Sequence, residues 1–187
     1  LLAFGRSFND VDLSATTAAG VWKARLASRQ ATGDVLWDAA GSGKLTARLK
    51  QLTIDSSPPA GESMPSEAIK ELPALDIVAD EFSLGTRRFG KLDVQAHNDA
   101  GGWRLDRINA SHPNGTLSGS GLWQIAGGSN RTQLTFKIES NDIGKLLERM
   151  SYPGTVRAGT ALLDGKLGWN STPVDLDFAS LSGDLNL

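Results

Sequence analysis

An all-β fold with one short helix is what this sequence predicts, its antiparallel sheet packed as a sandwich, closed as a barrel, or strongly curled into an open groove or half-barrel. Three observations lead there. Apolar and polar residues alternate with period two over short runs, and Gly, Asn, Asp and Pro clusters separate those runs. Only one stretch has helical spacing. The apolar residues supplied by the alternation exceed what that helix could cover.

The runs follow in order. Val11, Leu13 and Ala15 alternate in the first. Gly33, Val35 and Trp37 share a face, as do Leu45, Ala47 and Leu49, whereas Leu52 and Ile54 fall out of phase. An inserted residue would restore the phase, so a bulge is expected near Lys50. Residues 56–73 carry four prolines and no alternation, which marks a linker or excursion with room for one helical turn over 66–72. A meander is then expected over 76–84, 90–98, 102–111, 116–124 and 131–140. Its connections contain Asn98-Asp99-Ala-Gly101-Gly102, Pro113-Asn114-Gly115 and Gly127-Gly128-Ser129-Asn130. These residues tolerate the positive φ of tight hairpins, so consecutive strands should be neighbours. Ile143, Leu146, Leu147 and Met150 give the helix, over 142–150, behind a Ser140 or Asn141 cap. Tyr152-Pro-Gly154 ends it. Strands resume over 160–169, 174–178 and 181–187. The organisation expected is thus N-terminal strands over 1–55, the Pro-rich excursion over 56–73, and a second β region over 74–187.

Grouping residues by parity gives an apolar face of Val78, Phe82 and Leu84; Leu92, Val94 and Ala96; Trp103 and Leu105; Leu117 and Trp123; Leu134, Phe136 and Ile138; and Ala161, Leu163, Leu167 and Trp169. The opposite face carries Lys91, Asp93, Gln95, Lys137, Glu139, Asp164 and Lys166, the solvent side of such a sheet. An apolar face of this size must be buried on a second sheet, on itself by closure, or on a guest in an open groove. Periodicity leaves these three open. Inward glycines at 119, 121 and 165 would let the strands bend. Gly and Trp also recur at equivalent spacing in Gly33-x-Val35-x-Trp37, Gly119-x-Gly121-x-Trp123 and Gly165-x-Leu167-x-Trp169.

Composition excludes several functions. The 187 residues carry a net charge of -2, from 19 basic and 21 acidic side chains, which gives no footprint for nucleic acid. There is no cysteine, hence no disulfide, thiol catalysis or thiolate metal site. No apolar run reaches the roughly 18 residues of a bilayer span. The chain opens inside an apolar stretch and closes on an alternating one, so it reads as a slice of something longer.

Chemical motifs are absent. Gly41-Ser-Gly-Lys-Leu-Thr46 lacks the P-loop's first glycine, with Asp38 in its place, and has Leu45 where a hydroxyl is needed. His97 and His112 have no carboxylate or histidine at ligand spacing, so no metal is expected. Asp80 and Glu81 point to opposite faces of a strand, and no nucleophile accompanies them or Asp76. Asn-x-Ser/Thr matches at Asn109, Asn114, Asn130 and Asn170 matter only in a glycosylating secretory setting. No cofactor and no catalytic residue are expected.

From residue 72 onward the chain resembles the C-terminal region of YhdP-type proteins of the AsmA-like superfamily. The resemblance lies in Leu72-Pro-Ala-Leu-Asp-Ile-Val-Ala-Asp80, Phe82-Ser-Leu-Gly85, Gly101-Gly-Trp-Arg104, Ser118-Gly-Ser-Gly-Leu-Trp123, Asp142-Ile-Gly-Lys-Leu-Leu147, Tyr152-Pro-Gly154 and Gly165-Lys-Leu-Gly-Trp169, taken in order. It implies a long envelope protein of Gram-negative bacteria, anchored in the inner membrane, whose repeating β-groove modules cross the periplasm and carry phospholipid. The expected occupant is then a phospholipid acyl chain, and the expected lining is Val78, Phe82, Leu84, Leu92, Val94, Trp103, Leu105, Leu117, Trp123, Leu134, Phe136, Ile138, Leu163, Leu167 and Trp169. Other expected partners are the rest of the anchored chain and proteins the sequence does not identify. The alternative is a structural module for outer-membrane assembly whose groove receives polypeptide.

Overall fold

The computed structural model describes residues 2–3, 6–7, 10–54, 72–99, 102–126, 129–149, 152–173 and 176–187. Two short strands, β1 (Leu2–Ala3) and β2 (Arg6–Ser7), pair with each other. The other eleven form one sheet in sequential order, from β3 (Asp12–Ala18) at one edge to β13 (Ser182–Asn186) at the other. Between them lie β4 (Val21–Ala27), β5 (Ala31–Asp38), β6 (Lys44–Ile54), β7 (Ala74–Leu84), β8 (Arg87–Asp99), β9 (Gly102–His112), β10 (Gly115–Ala126), β11 (Ser129–Ser140) and β12 (Ala161–Trp169). The edge strands do not pair with one another, so the sheet is open.

Hairpin chemistry places most strands beside their predecessors. Ala19 and Gly20 turn between β3 and β4 with φ of 49° and 80°, the signature of a two-residue turn whose twist matches the strands. Pro113 and Asn114 make the two-residue connection between β9 and β10 without positive φ. One step departs from the expected antiparallel sheet. β6 and β7 are parallel, Lys44 facing Ala74 and Ile54 facing Leu84, so residues 55–73 return the chain to the end where β6 began. The excursion expected over 56–73, with its helical turn over 66–72, lies mostly outside the described residues.

The bulge expected near Lys50 is present. Gly33 faces Leu49 and Thr32 faces Gln51, which leaves Lys50 as the extra residue and returns Leu52 to the face of Leu49. Gly33 has φ of 148°, and a Cβ there would lie 2.3 Å from the Arg48 carbonyl, so only glycine fits. Further irregularities fall between Ala79 and Ser83, at Gln95/Ala96 and at Gly119/Gly121. Such bulges kink strands and let a broad sheet curl.

The helix α1 (Ile143–Arg149) fills the connection from β11 to β12. Its cap is Asp142, not Ser140 or Asn141: the Asp142 carboxylate accepts from the Lys145 amide at 3.0 Å. Ser140 acts one step earlier, its hydroxyl accepting from the Asp142 amide. The strand expected over 174–178 does not form across its described part. Asp177 instead accepts from the Ala179 amide and the Ser180 hydroxyl, which makes a turn at Phe178.

The buried core lies on one side of the sheet. Ala31, Ala47, Leu49, Ala79, Leu92 and Ala110 form it, with Leu26, Val35, Leu52, Ile77, Phe82, Phe89, Val94, Ile108 and Leu117 packed around them. Four of the six are alanines, shielded by larger neighbours on adjacent strands. Among the described residues, substantial strand contacts run only between sheet neighbours, and no second sheet packs on this layer.

Candidate functional site

Residues facing each other across a ladder share a face, so register shows what the apolar surface contains. One row crosses β8 to β12 as Leu92, Ala110, Leu117, Ile138 and Leu163. A second runs Val94, Ile108, Gly119, Phe136 and Gly165. The third is Ala96, Leu105, Gly121, Leu134 and Leu167, and the fourth ends in Trp103, Trp123, Thr132 and Trp169. The rows extend into the N-terminal strands: Leu13, Leu26, Gly33, Leu49 and Ala79 reach Leu92, while Ala15, Ala24, Val35, Ala47 and Ile77 reach Val94. Phe82 and Leu84 join the same face opposite Leu52 and Ile54.

Fourteen of the fifteen residues expected on the lining therefore lie on one face, and Val78 does not. Val78 pairs with Asp93 on β8 and Arg48 on β6, so it stands among the polar side chains. The irregularity between Ala79 and Phe82 explains the error: Phe82 is two steps from neither Ile77 nor Ala79, yet faces the same way. In the run from Leu75 to Ala79 both parities are apolar at Ile77 and Val78, and parity alone chose wrongly. Ile108 and Ala110 were missed for a related reason, because the bulge beside Asp106 puts them out of phase with Leu105. Their cross-strand partners Val94 and Leu92 were the signal available.

The inward glycines do more than leave space. A Cβ at Gly121 would come within 2.7 Å of the Gln133 carbonyl, so the backbones of β10 and β11 approach more closely than a side chain permits. The indoles are held at their N–H groups: Trp103 donates to the Pro73 carbonyl at 3.1 Å, Trp123 to the Asn130 side chain at 3.1 Å, and Trp169 to the Thr172 carbonyl at 2.9 Å. Satisfied this way, the rings stay on an apolar surface at little polar cost.

The reverse face is polar and cross-linked by its own charges. Arg25 pairs with Asp34, Arg107 with Asp93, and Lys137 with Glu139. His97 has the carboxylate partner that sequence spacing did not reveal, since Asp106 lies 2.7 Å from its Nδ1 across β8 and β9. Here a cleft of about 710 Å³ spans β9 to β13, lined by Asp106, Ser118, Thr135, Asp164, Lys166 and Asp184. Among the described residues no hydroxyl bonds to the His97–Asp106 pair, and no cluster of three metal-ligating side chains occurs.

Fold and face together define an open β-sheet protein with one continuous apolar surface and one solvated surface. The match of a family model, described as YhdP protein, over residues 1–187 places it further: the chain belongs to the YhdP family. No curated protein and no solved structure matches the chain. Membership is in keeping with a role in lipid transport in the cell envelope. No helix among the described residues is long and apolar enough to cross a membrane.

Proposed function

We propose that this chain is a passive segment of a phospholipid conduit, which holds acyl chains on its apolar face as lipid crosses the periplasm within an inner-membrane-anchored protein. One observation carries the reading: rows of mostly apolar residues, with glycines and Thr132 among them, cross the sheet with no second layer upon them among the described residues. Around the buried core the lining is only half-buried, and an apolar face that no second layer covers suits an apolar occupant. The lining proposed is Phe82, Leu84, Leu92, Val94, Trp103, Leu105, Leu117, Trp123, Leu134, Phe136, Ile138, Leu163, Leu167 and Trp169.

The rows also supply a mechanism. Each buried CH₂ contributes roughly 0.8 kcal/mol, enough to hold a chain firmly. Successive strands repeat the surface about every 4.8 Å, so a lipid can step sideways between similar positions while its head group stays in water. Such a device needs neither cofactor nor catalytic group, and direction comes from a partner or a gradient.

Photo-crosslinkers placed at Phe136 and Leu163 test the occupant. Adducts of phospholipid mass, with lipid retained by purified protein in native mass spectrometry, are expected. Adducts made only with polypeptide would turn the reading to the assembly module, for which the exposed edge strands β3 and β13 offer pairing sites.

A further inference from the structure

The apolar face has two unlike rims at the opposite ends of its strands. Trp103, Trp123 and Trp169 stand along one of them, in register through Thr132. Trp22 and Trp37, paired across β4 and β5, lie toward the same rim, where β4 begins and β5 ends. All five tryptophans of the chain are thus gathered at one end of one face. Helix α1 occupies the other rim. Leu146 lies over the start of β10, where a Cβ on Gly115 would meet its methyl carbons at 3.3 and 3.4 Å, and Arg149 donates to Nε2 of His112 at the end of β9.

We infer that a phospholipid on this face lies along the strands, with its glycerol and head group at the tryptophan rim and its acyl chains pointing toward α1. This rests on the lipid reading proposed above. An indole has an apolar body and one polar edge, and suits the depth where ester groups meet hydrocarbon. The N–H groups of Trp103, Trp123 and Trp169 donate to protein oxygens at that rim, which sets the polar edge of each ring toward the strand ends. Trp103 is the most open of the three, and Trp123 and Trp169 are buried. The helix rim offers no such belt and is partly crossed by α1. The distance also fits: Trp123 and Gly115 are eight residues apart on β10, about 26 Å at 3.3 Å per residue, whereas one leaflet's chains occupy roughly half of a 30 Å hydrocarbon core. The tails end before the helix.

The test is indole quenching by lipids brominated at different depths. The full chain carrying Trp22→Phe and Trp37→Phe keeps only the three rim tryptophans. It is loaded with phosphatidylcholine brominated either near the ester or near the methyl terminus, and bound lipid is quantified by mass spectrometry. Severalfold stronger quenching by the ester-proximal bromine is expected, and the wild-type chain should show the same order, because its other two indoles lie toward the same rim. Equal or reversed quenching with lipid bound overturns the orientation and leaves lipid binding intact. Retention of no lipid by the wild-type chain overturns the lipid reading itself.

Discussion

Arg48 and Asp76 clasp the parallel step of the sheet. Nη1 of Arg48 on β6 lies 2.9 Å from the Asp76 carboxylate on β7 and donates to the Asp76 carbonyl at 2.9 Å. Slanted parallel ladders are slightly less stable than antiparallel ones, and here the polar face adds a side-chain bridge across the join.

Removing that bridge should cost little at neutral pH and less in acid. The hydrogen bond and charge of Arg48 hold the Asp76 carboxyl below the usual carboxylate range, against the opposing effect of burial. A carboxylate lowered in the folded state contributes stability that is present above its ordinary value and lost as pH falls through its folded value. Arg48 is half exposed, so Arg48→Met should destabilise by no more than about 1 kcal/mol. Urea unfolding of both proteins should show the difference shrinking at the acid end.

His112 should make stability fall on mild acidification. Burial, and then the Arg149 guanidinium 2.7 Å from Nε2, push its pKa below the ordinary histidine value. The folded chain therefore binds fewer protons than the unfolded one, so stability is lost as pH drops below about 6.5. Replacing His112→Gln should flatten the dependence of the melting temperature on pH in that window.

Ala19 is a site for gain. It holds φ of 49° in the β3–β4 turn, a conformation that costs an L-residue roughly 1 kcal/mol and that asparagine tolerates better. Ala19→Asn should raise stability by about 0.5 kcal/mol, read as a higher urea midpoint with an unchanged slope.

Leu92 anchors the apolar face from the centre of the sheet, between Ala79 and Ala110, and is 5% exposed. Truncation to alanine should cost about 2–4 kcal/mol, since neighbours held in a ladder cannot collapse into the space. A loss under about 0.5 kcal/mol would show that the face is not packed as described.

Neighbours on β11 separate the two faces by function. Ile138→Asp puts a carboxylate on the apolar face, and lipid recovered per folded chain should drop severalfold. Lys137→Asp changes charge on the solvated face and should leave lipid recovery unchanged. Equal losses in both would argue for a nonspecific effect of charge.

By itself the sequence determined what is local. Period-two alternation, turn residues with freedom at positive φ, the displaced phase at Lys50 and helical spacing after Asp142 set the strands, the hairpins, one bulge and α1, because each depends on residues close in the chain. It determined fourteen members of one apolar face for the same reason. Only the tertiary structure decided what depends on cross-strand register. That includes the parallel return at β7, the polar side for Val78, the His97–Asp106 contact, and the gathering of all five tryptophans at one rim. A bulge reverses every side chain beyond it and shows in the alternation only where, as at Lys50, the flanking apolar residues visibly change phase; a crossover changes which strands meet and leaves no mark in local periodicity. Whether the sheet stays open was also decided there, since alternation prescribes an apolar face without saying what lies against it.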